Sequence, residues 1–238
     1  MTVAPTPLHG RQLQGYRLLV LGALVLLVGI VVGVLLANLG SSSSSTTVRG
    51  SGVPASETRD VPAFTGVDLA GDTRVDIRVG GAESVVVSAD DNLVGRVTTA
   101  VRGDRLVIGT AGSFATRSPM TVDVTVPSLE RLTLSGDGLV TAGGIRGERV
   151  SVLLGGSGLV RASGEVGRLD VSLSGAGDAQ LEQLIARRAA ATVSGSGRIV
   201  LNVTDSLEAS VPGSGAIFYS GDPHVSRSVT GTGVIIGQ

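Results

Sequence analysis

The chain has 238 residues, enough for one sizeable domain with appendages. Its 16 % charged and 42 % hydrophobic residues exclude a disordered or acidic-tail protein, and the absence of cysteine excludes disulfide frameworks, thiolate metal sites and cysteine nucleophiles. All 19 basic residues are arginine; three of them (Arg11, Arg17, Arg49) lie in an N-terminal stretch without acids, which leaves 16 against 20 acids in the body. A mildly acidic body lacks the basic face that phosphate neutralisation needs, so a nucleic-acid partner is set aside.

Leu18 to Leu39 carry no charge and one polar residue, Asn38. As a helix this run spans roughly 33 Å, enough to cross a ~30 Å hydrocarbon core. It exceeds the apolar region of a signal peptide, and Ala37-Asn38-Leu39 ends in leucine where a cleavage site wants a small residue. The expectation is an uncleaved single-pass anchor at 18–39. Two arginines before it and one after place the short segment 1–17 in the cytoplasm and the rest outside the membrane. The Ser/Gly-rich residues 40–60 have no apolar periodicity and read as a flexible linker.

From 61 onward the chain reads as strands. TRVDIRVG (73–80), SVVVSA (84–89), RVTTAV (96–101), RLVIGT (105–110) and MTVDVTVP (120–127) alternate apolar and polar residues. Arg102-Gly103-Asp104 suits a hairpin turn, and Ser113 to Pro119 a loop. A G-x-G motif then recurs at Gly136/Gly138, Gly156/Gly158, Gly175/Gly177, Gly195/Gly197, Gly213/Gly215 and Gly231/Gly233, at spacings of 20, 19, 20, 18 and 18. Apolar residues hold fixed offsets: Leu134, Leu154, Leu173, Val193, Val211 and Val229 before each pair, and Val140, Val160, Ala179, Ile199, Ile217 and Ile235 after it.

A strand recurring every 18–20 residues, with no crossover helix, predicts an all-β right-handed parallel β-helix capped by irregular β structure from the earlier strands. Glycine at each corner would supply positive φ and allow close backbone approach. The helix-like run QLEQLIARRAAA (180–191) keeps the repeat register and is assigned to a rung. Thr133, Ser172, Thr192, Ser210 and Ser228 fall on outward positions and make a hydroxyl ladder, a candidate binding surface.

The run FTGVDLAGDTRVDIRVGG, the Asp90-Asp91-Asn92 segment, Arg105-Leu106-Val107-Ile108 and the LSGxG series resemble the auto-transporter adhesin head GIN domain family over 61–238. The resemblance implies a β-helical, extracytoplasmic domain and transfers no catalytic residues.

Candidate chemistry is thin. Gly155-Gly156-Ser157-Gly158 opens like a calcium-binding nonapeptide, but Val160 stands where the ligand aspartate belongs. Asp137 reads as a turn residue. His9 and His224 lack partners at metal-ligand spacing, and Gly-rich corners followed by strands do not cradle phosphate. A glycan-cleaving solenoid would need paired carboxylates; Asp76, Asp123, Asp170 and Glu208 are outward acids, with few aromatics to platform a sugar. The expectation is a non-catalytic adhesion or binding module of the envelope without a cofactor or metal, its partner an envelope glycan or protein. Self-association through the last rung, Val234-Ile235-Ile236, is the alternative.

Overall fold

The structure, a computed structural model, describes residues 47–238. The anchor expected at 18–39, the segment 1–17 and the first part of the linker lie outside the described residues. Among the described residues no helix is long and apolar enough to cross a membrane.

In chain order the strands are β1 (Val48–Arg49), β2 (Pro54–Arg59), β3 (Gly66–Leu69), β4 (Arg74–Val79), β5 (Ser84–Asp90), β6 (Val97–Arg102), β7 (Arg105–Thr110), β8 (Phe114–Ala115), β9 (Thr121–Val126), β10 (Arg131–Leu134), β11 (Leu139–Leu154), β12 (Leu159–Leu173), β13 (Asp178–Val193), β14 (Arg198–Val211), β15 (Ala216–Ser220), β16 (His224–Val229) and β17 (Val234–Gly237). They wind a parallel β-solenoid of about five turns. The run 180–191 lies within β13, where Leu181, Leu184, Ala186, Ala189 and Ala191, two or three residues apart, are buried in the rung core.

Each turn has a side leading into the G-x-G corner and a side following it. On the leading side, Leu134, Leu154, Leu173 and Val193 stack in register, and Val140, Val160, Ala179 and Ile199 do so on the following side. All are buried, with at most 1 % of their surface exposed. At roughly 4.8 Å between strands these columns interlock into one apolar core. Burying each leucine contributes on the order of 1.5–3 kcal/mol.

The early turns depart from chain order. β3 and β4 form a turn directly under β10 and β11, but the turn beyond them is made by β7 and β9, which come later in the chain. Antiparallel strands then cover this end: β6 on β7, β5 on β9, and β2 on β5. The hairpin β6–β7 turns at Gly103-Asp104, where Gly103 has φ 66°, a left-handed conformation that a Cβ would penalise. The 113–119 segment is not wholly irregular, since β8 within it pairs in parallel with β1.

The linker expected at 40–60 therefore ends sooner. Residues 48–53 have no apolar face to bury, and they dock through polar contacts instead. Asp90, fully buried, accepts N–H bonds from Gly52 (3.0 Å), Arg117 (2.8 Å) and Ser118 (3.2 Å), and the Ser118 hydroxyl (2.7 Å). Asp91 accepts from the Ser51 hydroxyl; Asn92 accepts from the Ser51 N–H and donates to the Arg49 carbonyl. The Asp90-Asp91-Asn92 segment is thus a clamp between the entering chain and the 113–119 loop.

The Arg117 N–H, with help from Ser118 and Gly52, holds the Asp90 carboxyl below the usual carboxylate range against the opposing effect of burial. A carboxyl so held contributes stability at neutral pH. That stability drains away once the pH falls below about 3.9, where an unfolded aspartate binds its proton, and is gone below the native value. Asp90→Asn is expected to lower the melting temperature by several degrees at pH 7. It should also flatten the stability loss between pH 5 and pH 3, both read by far-UV circular dichroism.

Candidate binding face

The corners are built by what glycine lacks. A Cβ on Gly136, Gly156, Gly175, Gly195, Gly213 or Gly231 would fall well under 3.0 Å from the backbone of the preceding turn, and one on Gly138, Gly158, Gly177, Gly197, Gly215 or Gly233 would do the same. The reason is hydrogen bonding from turn to turn. Gly158 N–H donates to the Gly136 carbonyl (3.1 Å), Gly177 to Gly156 (3.1 Å), Gly197 to Gly175 (3.3 Å) and Gly215 to Gly195 (3.0 Å). Positive φ was the other expectation for these twelve glycines. None of them has it, so close approach alone explains them.

Gly71-Asp72-Thr73 is a seventh corner that lacks the G-x-G motif. Gly71 sits under Gly136, and Thr73 takes the place of the second glycine. Thr73 is 3 % exposed, with its hydroxyl on the Met120 sulfur at 3.8 Å. The signal was present in Val67, Leu69 and Val75, which keep the offsets of the later turns.

Outward positions of the leading side form columns. Thr133, Leu153, Ser172, Thr192, Ser210 and Ser228 align on six successive turns. The structure brings the five hydroxyls of the expected ladder onto one flat face, interrupted by Leu153, which is 40 % exposed. Two residues further from the corner along each strand run Arg131, Ser151, Asp170, Ala190, Glu208 and Ser226.

The acids considered for catalysis are held in ion pairs or stand apart. Asp76 and Asp123 are in register on neighbouring turns, but Asp76 is paired with Arg74 at 2.8 Å and Asp123 with Arg78 at 3.5 Å. Asp170 is paired with Arg168 at 2.9 Å. Glu208 lies on the leading side, remote from the first two. On the following side Asp178 binds Arg198 through two bonds of 3.0 and 2.8 Å, which raises the arginine's already high pKa. Among the described residues no three His, Asp or Glu side chains gather as metal ligands. Asp137 accepts a long bond, 3.4 Å, from the Ser157 N–H one turn on, the role of a corner residue. His224 lies exposed at the start of β16. Phe64 is in the core, whereas Phe218 points outward between Val200 and Ile236 of the adjacent turns.

A family model described as "putative auto-transporter adhesin, head GIN domain" matches residues 63–223. The chain belongs to this family. Among curated proteins none matches. Solved structures of similar fold include a putative adhesin from Bacteroides fragilis (22 % identity, 80 % of this chain and 100 % of that one, TM-score 0.62). A putative adhesin from Parabacteroides merdae has 18 % identity over 81 % of this chain and 99 % of that one, with TM-score 0.55. A putative lipid binding protein from Parabacteroides distasonis has 22 % identity over 81 % and 100 %, with TM-score 0.52. At these identities the head GIN likeness among structures is one of fold.

Gly195→Ala drives a methyl into the Gly175 carbonyl and the Ser194→Ala change beside it meets no such obstacle. The glycine variant is expected to lose roughly 2–4 kcal/mol, a severe single-site effect, while the serine variant stays within about 0.5 kcal/mol. Urea denaturation followed by circular dichroism separates the two.

Proposed function

We propose that this head GIN protein is a non-catalytic binding module of the bacterial envelope. The observation that carries this reading is the flat leading face, where five hydroxyls stand in register on a rigid backbone. Short Ser and Thr side chains lose little rotamer freedom on binding, and each offers a donor and acceptor. A glycan strand laid along the solenoid would meet an equivalent hydroxyl on most turns. Family membership and the adhesin descriptions of similar folds support adhesion over catalysis. The solenoid is right-handed in this reading, and the domain is held outside the membrane by a single-pass anchor at 18–39 with 1–17 inside.

The test is co-sedimentation of the full chain, in nonionic detergent, with insoluble envelope glycan. Binding that survives rising salt is expected. The triple variant Ser172→Gln, Thr192→Gln, Ser210→Gln should lose at least about tenfold in affinity, with its melting temperature within a few degrees of wild type because the positions face outward. Unchanged binding by that variant would remove the ladder from the proposal.

A second reading, association between copies, is favoured by an outward column that turns apolar. Val200, Phe218 and Ile236 align on three successive turns, and Val234 and Ile236 are 46 % and 44 % exposed. Such a strip on an edge strand suits a second β-surface. Ile236→Lys is expected to reduce any self-association seen by analytical ultracentrifugation and to leave glycan binding intact.

A further inference from the structure

The leading face has a third outward column, at the margin farthest from the corner. Arg149, Arg168 and Arg188 stand in register on three successive turns, and Ser206 and His224 continue the line on the next two. Neighbouring members are about 4.8 Å apart, as strand spacing requires. Like charges placed side by side on adjacent strands are destabilising, so folding gives no reason for three of them. The described residues 47–238 hold 17 arginines against 20 acids, so a basic row is a local reversal of the domain's sign.

Carboxylates offset this row only in part. Asp170 pairs with Arg168 at 2.9 Å and lies 3.9 Å from Arg149, so one acid serves two arginines. Its hydrogen bond holds the Arg168 guanidinium still more firmly charged. Glu148 and Asp205, each beside a member of the row, and Glu208, two residues beyond Ser206, are nearby acids; Glu208 adds to the charge stabilisation of Arg168, and none of the three forms an ion pair within 4.0 Å among the described residues. Arg188 forms none either. The Arg149 side chain is 71 % exposed and that of Arg168 40 %, so both have open N–H donors. Ser206 and His224 can also donate to oxygen.

We infer that the Arg149–Arg168–Arg188 row is an oxyanion-binding rail, and that the polymer on the leading face is a linear anionic polysaccharide lying along the solenoid axis. This rests on the glycan-binding reading of the hydroxyl face. Guanidinium forks take carboxylate or phosphate oxygens in bidentate fashion, and a row at strand spacing meets successive charges of one chain. The hydroxyl column lies four residues away along the strand, roughly 13 Å, and faces the same side, with Ser172, Thr192 and Ser210 on the turns of Arg168, Arg188 and Ser206 and Leu153 on that of Arg149. One polymer can therefore set its charges on the rail and its hydroxyls toward the ladder.

The experiment measures binding of the full chain in nonionic detergent to polygalacturonate, to its fully methyl-esterified form, and to phosphorylated dextran beside plain dextran. Wild type is expected at low salt to bind a charged polymer at least about tenfold more tightly than its neutral counterpart, and only that excess, not the salt-resistant binding of the hydroxyl face, is expected to fall as salt rises; which charged polymer is preferred distinguishes carboxylate from phosphate. Arg149→Gln, Arg168→Gln, Arg188→Gln should abolish that preference without changing affinity for the neutral form. Arg188→Gln alone breaks no ion pair and should reduce the preference severalfold, which guards against misfolding of the triple variant. Equal binding of charged and neutral polymers, or a charged preference kept in the triple variant, overturns the rail and leaves the glycan face standing. Binding of none of the four polymers overturns both.

Discussion

Everything in this domain depends on how closely consecutive turns approach at the corner. There one backbone N–H meets the carbonyl of the turn before, and the space between them has no room for a carbon atom. The corner pins the register of both sides at once. A slip of one residue would turn Leu154 and Leu173 outward and bring Leu153 and Ser172 in, so the hydrogen bond and the apolar columns enforce the same alignment. A chain almost without aromatic residues manages a core this way: small and branched side chains stack turn upon turn, with Tyr219 on Leu201 the one buried ring in the regular turns among the described residues.

The same register that builds the core builds the surface. Once inward positions are fixed by burial, outward ones fall into straight columns whether or not any partner selects them. A column of hydroxyls, a column of arginines and a column that grades from Thr141 and Arg161 to Phe218 and Ile236 all arise on one scaffold. Chemistry on such a surface is written along the axis, one residue per turn, so that a single substitution changes one step of a row. This suits long, repetitive ligands better than compact ones, and the shallow groove at Thr141, Arg161, Ser163 and Gln180 offers little enclosure for a small molecule.

Much of this was legible in the chain itself. The six glycine pairs and their apolar offsets were enough to place β10 to β17 and to separate inward Leu134 from outward Thr133. Two things were not legible, each for a physical reason. The corner at Gly71 was hidden because Thr73 stands where the pattern has glycine. The docking of 48–53 was hidden because it uses a buried aspartate and N–H groups, and hydropathy does not register such contacts. The arginine row, by contrast, was legible, since Arg149, Arg168 and Arg188 each stand seven residues before the first glycine of the next pair. The order of the early turns had no local signal at all, since alternation tells a strand its faces and not its neighbours.

That inverted order has a kinetic side. From β12 onward each turn finds its partner in the chain made just before it, so these turns can zip together one after another. β3 is different: Gly66 pairs with Arg105 on one flank and Arg131 on the other, and both are synthesised after it. On a ribosome the first strands must wait, unpaired, while later ones arrive to enclose them. The cap is therefore the slow, non-local step of folding, and the regular repeats are the fast one that extends from it.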